Sequence, residues 1–163
     1  MLETLEYLKL ETNVWLEITT LLIPAENDKA SEIEAESAWI MDRLGPDVPL
    51  HFSAFHPDWK FMSRPTPPET LQMARRIAKD AGIRYVYTGN VYDPAGQATY
   101  CHSCGAMLIG RDRYDLTAWK LSADGSCDEC GTSCHGVFEA MAGRWGQRRQ
   151  PVRVRSAPKS WAS

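Results

Sequence analysis

The sequence predicts an α/β chain: three parallel strands joined by helices, followed by a small β ribbon that grips a metal ion through cysteines. Two observations carry that expectation. Apolar, β-branched runs alternate with helical periodicity over residues 14–91 in the order strand, helix, strand, helix, strand. The connections are short, which is the pattern of right-handed βαβ crossovers. Behind them stand two copies of one knuckle, Cys101-His102-Ser103-Cys104-Gly105 and Cys127-Asp128-Glu129-Cys130-Gly131.

Residues 2–11 read as the end of a helix, with Leu2, Leu5 and Leu8 at helical spacing and Asn13 as its stop. Residues 14–23 are apolar with little polarity on either face, as suits a parallel strand covered on both sides, and Pro24 ends them. Asn27 or Asp28 caps the next helix, because a short side-chain oxygen can accept a free backbone N–H there. Ile33, Ser37, Ile40, Met41 and Leu44 line its buried face and Gly45-Pro46 stops it. A second strand covers 49–55. Thr66-Pro67-Pro68-Glu69 combines a capping box with proline in the first turn. The helix it opens buries Leu71, Ala74, Ala78 and Ala81, ends at Gly82 and leads into a third strand over 84–91. Three strands with two helices leave one sheet edge and one face bare. Met107–Ile109 and Tyr114–Trp119 pair as a hairpin with Asp112-Arg113 near its turn. The organisation expected is an α/β unit over 1–92, a ribbon over 97–137 and a basic tail over 138–163.

At 163 residues, 44% apolar and 24% charged, the composition is that of an ordinary globular protein. No apolar run approaches the roughly 20 residues that cross a bilayer. Met1-Leu2-Glu3-Thr4 has neither the basic region nor the apolar run of a signal peptide. The five cysteines cluster between 101 and 134, so with no export signal they read as metal ligands in a reducing cytoplasm, not as a disulfide framework. Beyond Glu139 stand six cations and no acid (Arg144, Arg148, Arg149, Arg153, Arg155, Lys159), leaving −9 on the rest of the chain against a net −3. Such a tail touches nucleic acid, a protein partner or the acidic body of its own chain, and nucleic acid is the less favoured of these.

Cys101, Cys104, Cys127 and Cys130 supply four thiolates, the complete set of a tetrahedral structural site with no position left for water. The 22 residues between the pairs slightly exceed the usual spacing. A hairpin absorbs that excess, because loop closure costs little more as a loop lengthens. Zinc is the expected ion; iron in the same place would make a rubredoxin-like electron carrier. Cys134 is a spare thiol near the ribbon or an alternative fourth ligand. Cys127-x2-Cys130-x3-Cys134 runs in the reverse order to the CxxxCxxC of open-iron clusters. His102 is a spacer within its knuckle, and His51 a packed strand residue.

Three long segments also resemble a known family: Glu11 to Pro24 (ETNVWLEITTLLIP), Gly45 to Pro57 (GPDVPLHFSAFHP) and Tyr85 to Val91 (YVYTGNV), the last followed by the Cys101 knuckle. Together they are similar to the C-terminal half of the AmmeMemoRadiSam-system radical SAM enzymes, relatives of pyruvate formate-lyase activating enzyme. The resemblance implies that the three strands are the last of a (βα) radical SAM barrel, followed by a zinc ribbon. It implies a 4Fe–4S cluster that cleaves S-adenosylmethionine to a 5′-deoxyadenosyl radical, which abstracts hydrogen from a substrate, often a glycyl site on a protein. It also implies association with Memo-type and AMMECR-type proteins.

The chain departs from that family in having no CxxxCxxC and no glycine-rich segment for the methionine end of the cofactor. It is therefore expected to be a truncated product, the second half of a split enzyme or the result of a misplaced start. Alone it would be inactive, and its partner would be the missing N-terminal half, or a second copy through self-association. The resemblance places Phe55 and His56, at a strand end where parallel barrels build active sites, beside the adenosine of S-adenosylmethionine. The alternative is a histidine that caps a strand end or bonds a loop carbonyl. Pro24 to Asn27 and Gly89-Asn90 occupy equivalent strand ends. The rival function is a zinc-ribbon module that binds nucleic acid or a protein through the basic tail.

Overall fold

A computed structural model describes residues 1–138 and 140–143. The six cations of the basic tail lie outside the described residues. The elements are α1 (Leu2–Glu11), β1 (Ile18–Leu22), α2 (Ala30–Arg43), β2 (Leu50–Ala54), α3 (Pro68–Asp80), β3 (Val86–Gly89), α4 (Pro94–Gln97), β4 (Thr99–Tyr100), β5 (Met107–Asp112) and β6 (Asp115–Trp119). They form two three-stranded sheets, β1-β2-β3 and β4-β5-β6. No helix among the described residues is long and apolar enough to cross a membrane.

The first sheet is wholly parallel, with Ile18 opposite Leu50 and Leu50 opposite Val86. Both crossovers turn the same way, so α2 and α3 lie side by side on one face. Leu22, Leu50, Phe52, Ala54 and Val86 point to that face and meet Ile33 and Ile40 of α2 and Leu71, Ala74 and Ala78 of α3. Each fully buried large side chain there contributes about 1.5–3 kcal/mol from leaving water. The opposite face carries Thr19, Leu21, His51, Ser53 and Tyr87, all exposed or half-buried. The expectation that the first strand is covered on both sides is thereby corrected, because helices on one face only leave Leu21 43% exposed.

The two sheet edges are treated differently. Beyond β3, Arg75 Nε donates to Val86 O at 3.0 Å and Lys79 Nζ to Arg84 O at 2.8 Å. Cations from α3 thus blunt the row of carbonyls that another strand would use. At β1, Ile18 N–H donates to Pro49 O, so the alternate residues Thr19 and Leu21 turn their backbone groups to the free edge. Only the Leu21 carbonyl finds a side chain there, Asn27 Nδ2 at 2.9 Å.

Two expected caps are replaced by turn and tertiary contacts. Asn27 accepts from Ile23 N–H and Asp28 from Ala25 N–H, which locks the turn after β1, and α2 starts later, behind Lys29. Thr66 does not cap α3; its hydroxyl donates to Leu22 O and accepts from Phe55 N–H, tying the ends of β1 and β2 together. Gly82 closes α3 as expected, at φ +108° with Ile83 N–H bonded back to Ala78 O at 3.1 Å.

The second sheet is antiparallel. β5 and β6 pair as the expected hairpin, with the two-residue turn at Arg113-Tyr114, Arg113 in the left-handed region. Its apolar side gathers Leu108, Ile109, Leu121, Cys101, Cys127 and Cys134 around Tyr85, which the first sheet contributes.

Candidate metal centre

Each knuckle folds by the same two backbone bonds. Cys101 N–H donates to Ala106 O at 2.8 Å and Gly105 N–H to Cys101 O at 3.0 Å. In the second, Cys127 N–H donates to Thr132 O at 2.9 Å and Gly131 N–H to Cys127 O at 2.8 Å. The turn requires a left-handed residue after the second cysteine. Gly105 and Gly131 supply it at φ +75° and +72°. A Cβ at either would meet nothing within 4 Å, so the backbone angle and not crowding selects glycine.

This folding brings the four predicted ligands together. The Sγ atoms of Cys101, Cys104, Cys127 and Cys130 all lie within 4.8 Å of one another. Cys101 and Cys130 are 3.6 Å apart, Cys104 and Cys127 3.8 Å. Four sulfurs around one ion, each at about 2.3 Å, would stand roughly 3.8 Å apart, so the donor set fits zinc or iron of tetrahedral preference. Cys101 and Cys127 are buried against the ribbon core, whereas Cys104 and Cys130 face solvent. The ligands would thus be anchored on one side and reachable on the other.

The electrostatics of the sulfurs point the same way. The Thr132 hydroxyl, 3.3 Å from Cys130 Sγ, with help from the Thr132 N–H and Cys104, brings the Cys130 thiol down to about 6. The Ala106 N–H favours a thiolate at Cys104, yet proximity to Cys130, partial desolvation and the sulfurs of Cys101 and Cys127 push that thiol up to about 12. Four crowded sulfurs cannot all shed their protons without a cation among them, and a divalent ion supplies that compensation.

The other expected site residues fall elsewhere. Cys134 is buried outside the sulfur cluster, and its thiol donates to Tyr85 Oη at 3.5 Å. His102 is exposed within its knuckle, edge-on to Tyr85, and His51 is half-buried on the open sheet face, its Nε2 3.0 Å from Glu17 Oε2. Phe55 packs edge-to-face on Phe61 with centroids 5.1 Å apart. His56 is exposed and donates from Nε2 to Asn90 O at 3.0 Å, while Asn90 Nδ2 donates to Ala54 O at 3.2 Å. The contact of His56 is thus the loop carbonyl that the alternative reading specified. Residues 24–27, Phe55-His56 and Asn90 share the C-terminal end of the sheet because the three strands run parallel. Thr132 and Tyr85 were not singled out from the sequence. A hydroxyl two residues past a knuckle cysteine is a readable signal for the first, while the second depends on packing between sequence-distant segments.

The chain is similar to the uncharacterized protein MJ0808 of Methanocaldococcus jannaschii, 42% identical over 131 residues. That alignment covers 80% of this chain and 38% of MJ0808, so the chain spans well under half the length of that relative. No family description matches the chain, and no solved structure matches it.

Proposed function

We propose that the four cysteines hold a structural zinc ion and that the chain serves as the C-terminal portion of a larger α/β enzyme of the radical SAM type. The observation that carries the reading is the asymmetry of the parallel sheet. Its β3 edge is blunted by Arg75 and Lys79, while its β1 edge and one face are open. An isolated sheet guards both edges; a sheet that continues guards one. Further strands would add beside β1, and the open face would become the interior of a barrel. The match to 38% of a longer relative accords with this. The resemblance of three segments supplies the radical SAM assignment. In that setting Phe55 and His56 stand at the strand ends where a cofactor would sit. The cluster and S-adenosylmethionine would be held by polypeptide carrying CxxxCxxC. This chain contributes strand ends, core and ribbon, and Memo-type and AMMECR-type proteins are the partners that the resemblance names.

With four thiolates the ribbon ion has no open position, so its role is to fix the knuckles and not to polarise a substrate. The test is co-expression with an N-terminal portion bearing CxxxCxxC, followed by native mass, metal analysis and anaerobic assay for 5′-deoxyadenosine. The expected outcome is a one-to-one complex that forms the nucleoside, while the chain alone self-associates, binds one zinc and forms none. A Leu21→Lys substitution at the open edge should abolish the complex and leave the zinc in place. A stable monomer indifferent to the added portion would overturn the reading, and salt-dependent retention on nucleic acid would favour the binding module instead.

A further inference from the structure

The ribbon stands against the His51–Tyr87 part of the open sheet face, leaving Thr19 and Leu21 exposed, and the two enclose a cleft of about 930 Å³. That volume lies in the range of small-molecule pockets, about 300–1,000 Å³. Its walls are ring systems held in fixed planes. His51 stacks on Tyr87 with centroids 4.9 Å apart, and Trp15 on His135 at 5.6 Å. Glu17 holds the first members of both pairs, accepting from Trp15 Nε1 at 2.8 Å on one oxygen and from His51 Nε2 at 3.0 Å on the other. The Tyr87 hydroxyl is fixed at 2.9 Å from Thr99 Oγ1.

Arg111 of β5 crosses this wall with its guanidinium 5.7 Å from the centre of the Tyr87 ring. Its Nη1 donates to Gln97 O at 3.0 Å and Thr99 Oγ1 at 2.9 Å, which clamps the side chain. Among the described residues its Nε and Nη2 donate to no protein atom, and neither it nor Arg113 forms an ion pair. Among the described residues Glu17 is the one acid lining the cleft, and its two oxygens accept from Trp15 and His51. A half-buried, clamped guanidinium with free donors and no ion-pair partner among the described residues suits an anion.

We propose that the cleft binds an aromatic small molecule carrying one anionic group, its ring against the aromatic side chains that line the cleft and its anion on Arg111. The proposal does not rest on the radical SAM assignment, since both walls belong to this chain. Carboxylate, sulfonate and phosphate share the chemistry that Arg111 recognises.

The test uses the zinc-loaded full chain and 8-anilinonaphthalene-1-sulfonate, an aromatic anion whose emission rises in apolar sites. One saturable equivalent is expected. Arg111→Gln should weaken it at least about tenfold, in line with loss of a charge-assisted bond. The uncharged N-phenyl-1-naphthylamine should bind both forms alike and be weakened in Trp15→Ala, which removes a ring from the cleft wall. Leu10→Glu and Leu21→Glu, on apolar surface outside the cleft, should change neither probe. If Arg111→Gln fails to retain zinc, Arg113→Gln, at the second cation lining the cleft, replaces it and is expected to weaken the sulfonate about threefold. Sulfonate binding that ignores the arginine substitutions, or that falls with Leu10→Glu or Leu21→Glu, overturns the proposal, as does the absence of any saturable equivalent.

Discussion

Substituting the cysteines one at a time separates ligands from bystander, and the structure sets the size of each effect. A structural zinc ion contributes about 10–16 kcal/mol of apparent binding free energy in small metallo-domains. Shared over four thiolates, each is worth roughly 3 kcal/mol, or about two orders of magnitude in affinity. Cys104→Ser and Cys130→Ser, at the exposed corners, should show little beyond that loss. Cys101→Ser and Cys127→Ser should fare worse, because they place a hydroxyl among Leu108, Ile109 and Leu121, where an unpartnered polar group costs about another 1–3 kcal/mol. Cys134→Ser touches only the contact with Tyr85 and should retain one full equivalent of zinc. Competition with a colorimetric chelator gives the affinities, and thermal melting of the loaded proteins gives the additional cost at the buried corners. If Cys134→Ser sheds the metal while any of the other four variants keeps a full equivalent at native affinity, the assigned ligand set is wrong.

Three further outcomes follow from single residues. Gly105→Ala meets no steric obstacle but holds an L-residue in the left-handed region, which costs about 1–2 kcal/mol, so zinc affinity should fall roughly 5–30-fold, and Gly105→Asn should recover part of it. Ser37 is wholly buried in α2 with a hydroxyl that has no partner, so Ser37→Ala should raise the chemical-denaturation midpoint by an amount equivalent to about 0.5–1 kcal/mol. Burial raises the Glu36 carboxyl above its ordinary value even though Thr20 donates to it. Between the ordinary value and the raised one the folded state holds more protons than the unfolded, so this group's contribution falls as pH rises through that window. Glu36→Gln should therefore flatten the decline in stability over that window and leave the protein more stable at pH 7, read as urea midpoints across pH.

The metal site was legible because its information is local. Each pair of ligands lies within four consecutive residues, the glycine that turns the knuckle follows at once, and the helical and extended periodicities before it are strong enough to give three crossover strands in order. What was not legible depends on which segments meet. The run from Val14 to Ile23 carries the composition of a strand covered on both sides, but composition cannot count the layers that cover it; the count of two helices over three strands, which leaves one face bare, was the better guide, since Thr19 and Leu21 are exposed. Thr66 stands where a capping box is expected, yet its hydroxyl is taken by Leu22 and Phe55, one of them 44 residues away. The pairs that build the cleft, Glu17 with His51 and Arg111 with Thr99, depend on strand register and on where the ribbon lies against the sheet, and neither is written in any local pattern.

Tyr85 shows how the two sheets become one folded object. By its backbone it belongs to the parallel sheet, since Leu50 N–H donates to its carbonyl at 2.9 Å. By its side chain it belongs to the ribbon, where its ring packs in the core with Cys101 and Cys127 and its hydroxyl accepts from the His135 N–H at 2.9 Å and from the Cys134 thiol. Burial and the Cys134 thiol hold the phenol well above its ordinary ionisation range, against the His135 N–H, which favours the phenolate. The buried pair of metal ligands therefore shares its core with a residue of the first sheet. Closing the knuckles around an ion fixes the surface on which Tyr85 sits, and Tyr85 in turn fixes the start of β3. The wall of the cleft, the anchoring of the ribbon and the start of the last parallel strand are accordingly linked through Tyr85, and an ion held by the four thiolates would add rigidity that so small a ribbon core lacks alone.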